Sequence, residues 1–339
     1  MNLKEKIEAL DALGKTLATT EISEVAERSR LANPWFTEEN TRAALNSMVR
    51  MFFSKESLDT WIREYRIPET KTRKKTGLVL AGNIPMVGFH DILCGFMAGH
   101  EVLIKYSEKD NIMIPWILDT LATINPETKS YFIPVDKITG YDAVIATGSN
   151  NTSRYFSYYF RNVPHVIRKN RNSVAVLTGK ETKENLEGLA RDILLFFGLG
   201  CRSVSKIFVP ENYDFSQLFE VLNDWKHLAH HNKYKNNLDY SHALFLLNKQ
   251  NFLAHEVLLL VESDLIASRV GCLHYEYYEE IQAVKTKLSG QKDNIQCIVS
   301  NEPSLTDRVD FGNTQNPGLD TYADDVDTMS FLLSLGSHD

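Results

Sequence analysis

The chain has 339 residues, 43% hydrophobic and 24% charged, with 17 glycines and 10 prolines, an ordinary globular composition that excludes wholesale disorder, collagen and coiled coil. A single core stops growing at about 250–300 residues, so the length predicts two domains. Against 44 Asp and Glu stand 37 Lys and Arg, and the net charge of −7 argues against nucleic-acid or membrane-surface binding through bulk basicity.

Residues 1 to about 64 read as helices, since Leu3, Ile7, Leu10, Leu13 and Leu17 recur at three- and four-residue steps and Pro34 to Glu39 looks like a capped helix start. The charges at Lys4, Glu5, Lys6, Glu8 and Asp11 leave no apolar stretch of a signal peptide, and no run of about 18 apolar residues follows elsewhere. A soluble, cytoplasmic protein without a membrane span is expected. The basic run Lys71 to Lys75 reads as a solvated link.

From Thr76 short apolar strands alternate with amphipathic helices. Strands are predicted over 77–81, 101–105, 130–134 and 141–147, and helices over 87–99, about 112–123 and about 150–160. That alternation predicts a parallel sheet with right-handed crossovers, in which ligands gather at the carboxyl ends of the strands. Three loops then matter: Gly82 to Pro85, Tyr106 to Glu108, and Gly148 to Asn151. A second unit starts near Asn172, with a strand there, a long helix over 182–197 capped by Thr182, and a strand over 205–210. Further on, a helix is predicted over 214–230, a strand over 242–248, and strands near 269–284 and 295–299, before a turn-rich loop from Phe311 to Gly318.

The first strand's loop lacks the G-x-G-x-x-G of a standard dinucleotide fold. Ser149, Asn150 and Asn151 open a helix straight after a strand, where they either cap the helix or present its amides to a phosphate. Lys105 ends a strand and can face a phosphate or ribose, and Glu108 can accept from ribose hydroxyls, although both types are common on surface loops. Cys201 is the sharpest candidate. It follows Gly198 and Gly200, which allow an unusual turn, and neighbouring amides with Arg202 and Lys206 could favour its thiolate; the plain alternative is a buried, inert thiol. Cys94, inside an apolar helix, reads as that alternative. None of the four cysteines makes a C-x-x-C pair. His227, His230 and His231 have ligand-like spacing, but with no H-E-x-x-H and no carboxylate partner on that helix they read as a polar helix end; Cys272 and His274, alternating in a strand, are read the same way, and no metal site is expected. The aromatic run Arg154 to Arg161 reads as packing rather than base stacking.

Read together, AGNIP (81–85), VLIKYSE (102–108), ATGSNN (146–151), NSVAVL (172–177) and GLGCRSVSKIFVP (198–210) resemble the aldehyde dehydrogenase superfamily, and more narrowly the long-chain acyl-CoA reductases of the bacterial luminescence fatty-acid reductase type. The closing stretch 311–335 also looks like the family's. The resemblance implies an α/β fold of aldehyde dehydrogenase type, two Rossmann-like domains with an N-terminal helical segment. It sets a helical segment at 1–75, a dinucleotide-binding domain at 76–171, a catalytic domain at 172–300, and a segment at 301–339 returning to the cofactor domain or an oligomer interface.

The same resemblance implies that Cys201 attacks an acyl thioester and releases CoA, with the Asn83 amide and the Cys201 N–H holding the oxyanion. Lys105, Ser107 and Glu108 would meet the adenosine ribose, and Gly148 and Ser149 the pyrophosphate. Glu108 suits a free 2′-hydroxyl and Lys105 with Ser107 a 2′-phosphate; the family points to NADPH, with NADH kept open. Expected partners are acyl-CoA or an acyl-protein thioester, a second copy in a homo-oligomer, and acyltransferase or acyl-protein synthetase subunits. The stretch 165–173, HVIRKNRNS, lacks the carboxylate with which hydrolytic relatives activate water, and Leu199 replaces a common glutamine. Thioester reduction therefore fits better than oxidation to an acid. Two alternatives stand beside it: a CoA-acylating short-chain aldehyde dehydrogenase, and a cofactor-binding interaction subunit without catalysis.

Overall fold

The computed structural model describes residues 1–67 and 73–335. Lys71 and Thr72 of the basic link lie outside the described residues, and Lys75 already belongs to a strand. Two compact units are present, Met1–Asn170 with Asn316–Asp339, and Arg171–Gln315.

The first unit opens with four helices, α1 (Leu3–Thr19), α2 (Ser23–Ala32), α3 (Glu38–Phe52) and α4 (Lys55–Arg63). Their starts are written in side chains. Asn2 and Glu5 form a reciprocal capping box on α1, while Thr37 accepts from Asn40 N–H at α3 and Ser54 from Ser57 N–H at α4. The predicted stripe Ile7, Leu10, Leu13 and Leu17 is buried in the main core of this unit.

The chain then runs β1 (Lys75–Val79), α5 (Phe89–Ala98), β2 (Glu101–Lys105), α6 (Met113–Ile124), β3 (Phe132–Pro134), β4 (Ala143–Thr147), α7 (Asn150–Tyr159) and β5 (His165–Arg168). The five strands form a parallel sheet in the order β3-β2-β1-β4-β5, the doubly wound arrangement with its switch point between β1 and β4. A cation is buried in this unit. Arg168, closing β5, pairs with Asp91 of α5 and donates to Thr328 Oγ1 (2.7 Å), so a residue near the C-terminus locks onto the sheet.

The second unit contains β6 (Asn172–Val176), α8 (Lys183–Leu194), β7 (Val204–Pro210), α9 (Ser216–Leu222), α10 (Asn232–Leu247), β8 (Leu253–Ala254), β9 (Leu259–Glu262), β10 (Cys272–Tyr278), α11 (Ile281–Gly290), β11 (Ile295–Val299) and β12 (Arg308–Val309). Its seven strands lie in the order β12-β11-β6-β7-β10-β9-β8, all parallel except β8. Thr182 caps α8 as expected, in a capping box with Asn185. Of residues 242–248, expected as a strand, 242–247 instead end α10 and Asn248 is its C-cap, because Tyr234, Leu238, Ser241 and Phe245 are buried at helical spacing while Leu246 and Leu247 face outward. The expected strand near 269–284 divides into β10 and α11. Strand β12 keeps part of the 301–339 segment in this unit, and the chain re-enters the first unit at Asn316, ending in α12 (Thr328–Ser334).

Candidate functional site

Parallel strands send all their carboxyl ends to one edge, so the sheet order fixes which loops are neighbours. In the first unit the loop after β1 carries Asn83, the turn after β2 carries Ser107 and Glu108 next to Lys105, and the turn after β4 carries Gly148 and Ser149. Asn83, Lys105, Ser107, Glu108, Gly148 and Ser149 therefore share the carboxyl edge of one sheet.

Lys105 is exposed, and its ammonium donates to the carbonyl oxygen of Asp136 (2.8 Å). Glu108 is exposed and Ser107 half-buried, with Ser107 Oγ accepting from Lys109 N–H at 3.3 Å. Ser149 is the N-cap of α7, its Oγ accepting from Thr152 N–H at 3.2 Å. Gly148 is a required glycine, since a Cβ there would stand 2.9 Å from Thr152 Cβ. This donor set fits a dinucleotide. It offers an exposed carboxylate for ribose hydroxyls, an exposed ammonium for phosphate or ribose, and a helix start for pyrophosphate.

Cys201 lies in the second unit, in the turn between α8 and β7 at the amino edge of that sheet. The predicted helix over 182–197 stops at Leu194, and Phe196, Phe197 and Gly198 follow with φ of 55°, 58° and 70°. Two successive non-glycine residues in the left-handed region are costly, and packing holds them there. The Phe197 ring sits 4.5 Å from His231 and 5.6 Å from Tyr234, both at the start of α10. Downstream, Ser173 Oγ donates to the Cys201 carbonyl oxygen (3.1 Å) and lies 2.9 Å from Cys297 Sγ.

The other three cysteines are buried and Cys201 is half-exposed. Burial pushes the Cys94 thiol well up, raises that of Cys272, and pushes that of Cys297 to about 11, so none of these favours a thiolate. Lys206, expected to help ionise Cys201, spends its charge elsewhere. It is fully buried, donates to Ser263 O (2.9 Å), and pairs with Glu276 (2.5 Å), which also holds Lys287.

Three of the histidines singled out make local contacts. His231 Nδ1 accepts from Tyr234 N–H to cap α10, and His227 stacks on Trp225. His274 Nδ1 bonds to Leu265 O. Among the described residues no three of His, Cys, Asp and Glu gather to hold a metal ion. In the aromatic run, Phe156 and Phe160 pack with Tyr141, while Tyr155, Tyr158 and Tyr159 face outward.

Sequence reasoning missed Asp110, Ser173, Asp192 and the left-handed Phe196–Phe197 pair. The three polar residues act through backbone groups of other segments, and Phe197 through ring packing on His231 and Tyr234, none of which leaves a local signature.

Compared with known proteins, the chain matches the family described as acyl-CoA reductase (LuxC) over residues 4–224. No curated protein sequence matches it. Among solved structures, aldehyde dehydrogenase 21 of Physcomitrella patens, in complex with succinate, superposes with a TM-score of 0.68 at 10% identity, covering 99% of this chain and 85% of its own. A Mycobacterium tuberculosis aldehyde dehydrogenase with NAD+ gives 0.63 at 11%, covering 88% and 73%. The NAD+ complex of a Bacillus cereus aldehyde dehydrogenase gives 0.61 at 12%, covering 88% and 72%. The fold is that of the aldehyde dehydrogenases. No helix among the described residues is long and apolar enough to cross a membrane.

Proposed function

The chain belongs to the acyl-CoA reductase (LuxC) family, and from that premise we propose that it reduces a fatty acyl-CoA to an aldehyde through an acyl-enzyme on Cys201, with NADPH as reductant. The observation that carries this reading is the exposure of Cys201 while Cys94, Cys272 and Cys297 are buried with raised thiol pKa values.

The Cys201 thiolate attacks the thioester carbonyl carbon and forms a C–S bond. By the family resemblance, the Cys201 N–H and the side-chain amide of Asn83 would serve as donors to the developing oxyanion, neither needing to transfer a proton. As the carbonyl re-forms, the bond to the CoA sulfur breaks, and CoA leaves as a thiolate that takes a proton from solvent. A reduced nicotinamide, when bound, supplies the hydride that the acyl carbon requires. Collapse of the second oxyanion then breaks the bond to Cys201 and frees the aldehyde. Lys105, Ser107 and Glu108 hold the adenosine ribose, and Gly148 with Ser149 the pyrophosphate. Between His165 and Ser173 no carboxylate stands to activate water, which favours persistence of the acyl-enzyme.

Intact-protein mass spectrometry with a panel of acyl-CoAs tests this. One acyl group is expected on the wild-type chain and none on Cys201→Ala, with acyl-CoA-dependent loss of the nicotinamide absorbance in the wild type alone. Equal labelling of both proteins, or of neither across all chain lengths and acyl-protein donors, overturns the proposal.

A further inference from the structure

The loops after β1 and β2 are fastened to one another at three points. Leu80 N–H donates to Lys105 O (3.1 Å). Gly82 presses on the next turn so closely that a Cβ there would lie 2.4 Å from Ser107 Oγ and 2.7 Å from Ser107 Cβ. Beyond it, Met86 N–H donates to Asp110 Oδ2 at 2.6 Å. Asp110 also closes its own turn, its N–H donating to Ser107 O at 3.0 Å, and Asn33 ties the same turn down by donating to Lys109 O at 3.2 Å.

Two features mark the bond between Met86 and Asp110 as more than packing. Met86 has φ of 59°, a conformation that a side-chain-bearing residue holds only when its surroundings impose it. Asp110 is 2% exposed, and its Oδ1 has no hydrogen-bond partner among the described residues. A buried carboxyl with a single side-chain bond costs stability, and an apolar residue there would be cheaper. What the carboxyl supplies is geometry, because its one bond fixes the far end of the loop that carries Asn83.

We propose that Asp110 is a positioning residue, which sets the Gly82–Met86 loop against the Lys105–Asp110 turn and so fixes the Asn83 amide for acyl transfer. This rests on the acyl-CoA reductase reading given above, but its structural half is tested apart from activity. Burial pushes the Asp110 carboxyl up to about 7, in keeping with a group held for its direction rather than its charge.

The experiment uses the full chain as wild type, Asp110→Ala and Asp110→Asn, with thermal melting as a check on folding. Asparagine keeps an oxygen for Met86 N–H and alanine does not. Amide hydrogen exchange over residues 82–88 is expected to quicken by at least about tenfold in the alanine variant and to stay near wild type in the asparagine variant. The rate of Cys201 acylation by acyl-CoA, followed without cofactor, is expected to fall by about ten- to a hundredfold in the alanine variant, with an unchanged half-saturating acyl-CoA concentration, and by less than about threefold in the asparagine variant. Unchanged exchange over 82–88 in a folded alanine variant overturns the inference, as does unchanged acylation. If wild type takes no acyl group, the functional reading falls while the exchange measurement still decides the role of Asp110. Should the alanine variant not fold, Gly82→Ala, which wedges the same two loops apart, is read in its place with the same expectations.

Discussion

Asp192, buried on α8, accepts from Gly312 N–H (2.7 Å), Thr314 N–H (3.1 Å) and Thr314 Oγ1 (2.8 Å). The residue after this clamped pair, Gln315, donates to Ser203 Oγ at 3.3 Å, two positions past Cys201. One carboxylate thus props the candidate nucleophile turn through a segment more than a hundred residues away. Three donors favour its ionised form, yet burial is the larger effect and pushes its pKa up to about 6. A folded pKa above the unfolded value makes this group's contribution to stability full below about pH 4 and lost as pH rises through 6. Asp192→Asn removes that titration but turns an amide donor toward one of the clamped N–H groups, at a cost of about 1–3 kcal/mol. Urea unfolding from pH 4 to 7.5 is expected to find the variant less stable at the acid end, with the gap to wild type narrowing by on the order of 3 kcal/mol as pH rises. A constant gap would mean that Asp192 titrates alike in both states.

Elements differ in how they announce themselves. Strands β1, β2 and β4 are apolar runs bounded by turn residues and each is followed by a helix, so the parallel character of the sheet and the three carboxyl-edge loops were legible from residues 76–151. Helix α10 was not. Its final five residues, 243–247 (ALFLL), are apolar without a break, and an unbroken apolar run has no period that separates strand from helix. The helix is fixed by what it buries, above all Tyr234, which donates to Val257 O at 2.6 Å. Likewise the stop of α8 at Leu194 follows from where Phe197 packs, not from any breaker before Gly198. For α7 the sequence offered a cap or a phosphate site, and the geometry allows one residue to do both. Ser149→Ala removes the acceptor of Thr152 N–H and is expected to cost about 1 kcal/mol in a chemical melt. If Ser149 also meets pyrophosphate, NADPH affinity falls as well, by about three- to tenfold in a fluorescence titration. A loss of stability with unchanged affinity would leave it a cap alone.

For the molecule as a whole, a returning C-terminal segment was expected only through the family resemblance and has no local signature of its own, because many of the groups that draw the chain back from residue 316 onward are single buried polar atoms. His100 is fully buried; its Nδ1 accepts from Lys74 N–H, which leaves Nε2–H to donate to Leu332 O at 2.9 Å. His90 bonds to Leu319 O (3.0 Å), Trp61 Nε1 donates to Tyr322 OH (2.8 Å), and Arg168 donates to Thr328. Met329 and Leu332 are fully buried beside them, each worth about 2–3 kcal/mol of apolar burial. Ending the chain after Gln315 would strip these partners from His100, Trp61 and Arg168 and open the core of the first unit. The losses together are of the same order as the roughly 5–15 kcal/mol that holds a domain folded. Residues 171–315, by contrast, are continuous and contain a complete seven-stranded sheet. Expressed alone, 171–315 is expected to melt cooperatively, and 1–170 alone to show no cooperative transition, by calorimetry or near-ultraviolet circular dichroism. A sharp melt from 1–170 would show that its helices and sheet close without the returning segment, and that the buried bonds to residues 319–332 only decorate a core already formed.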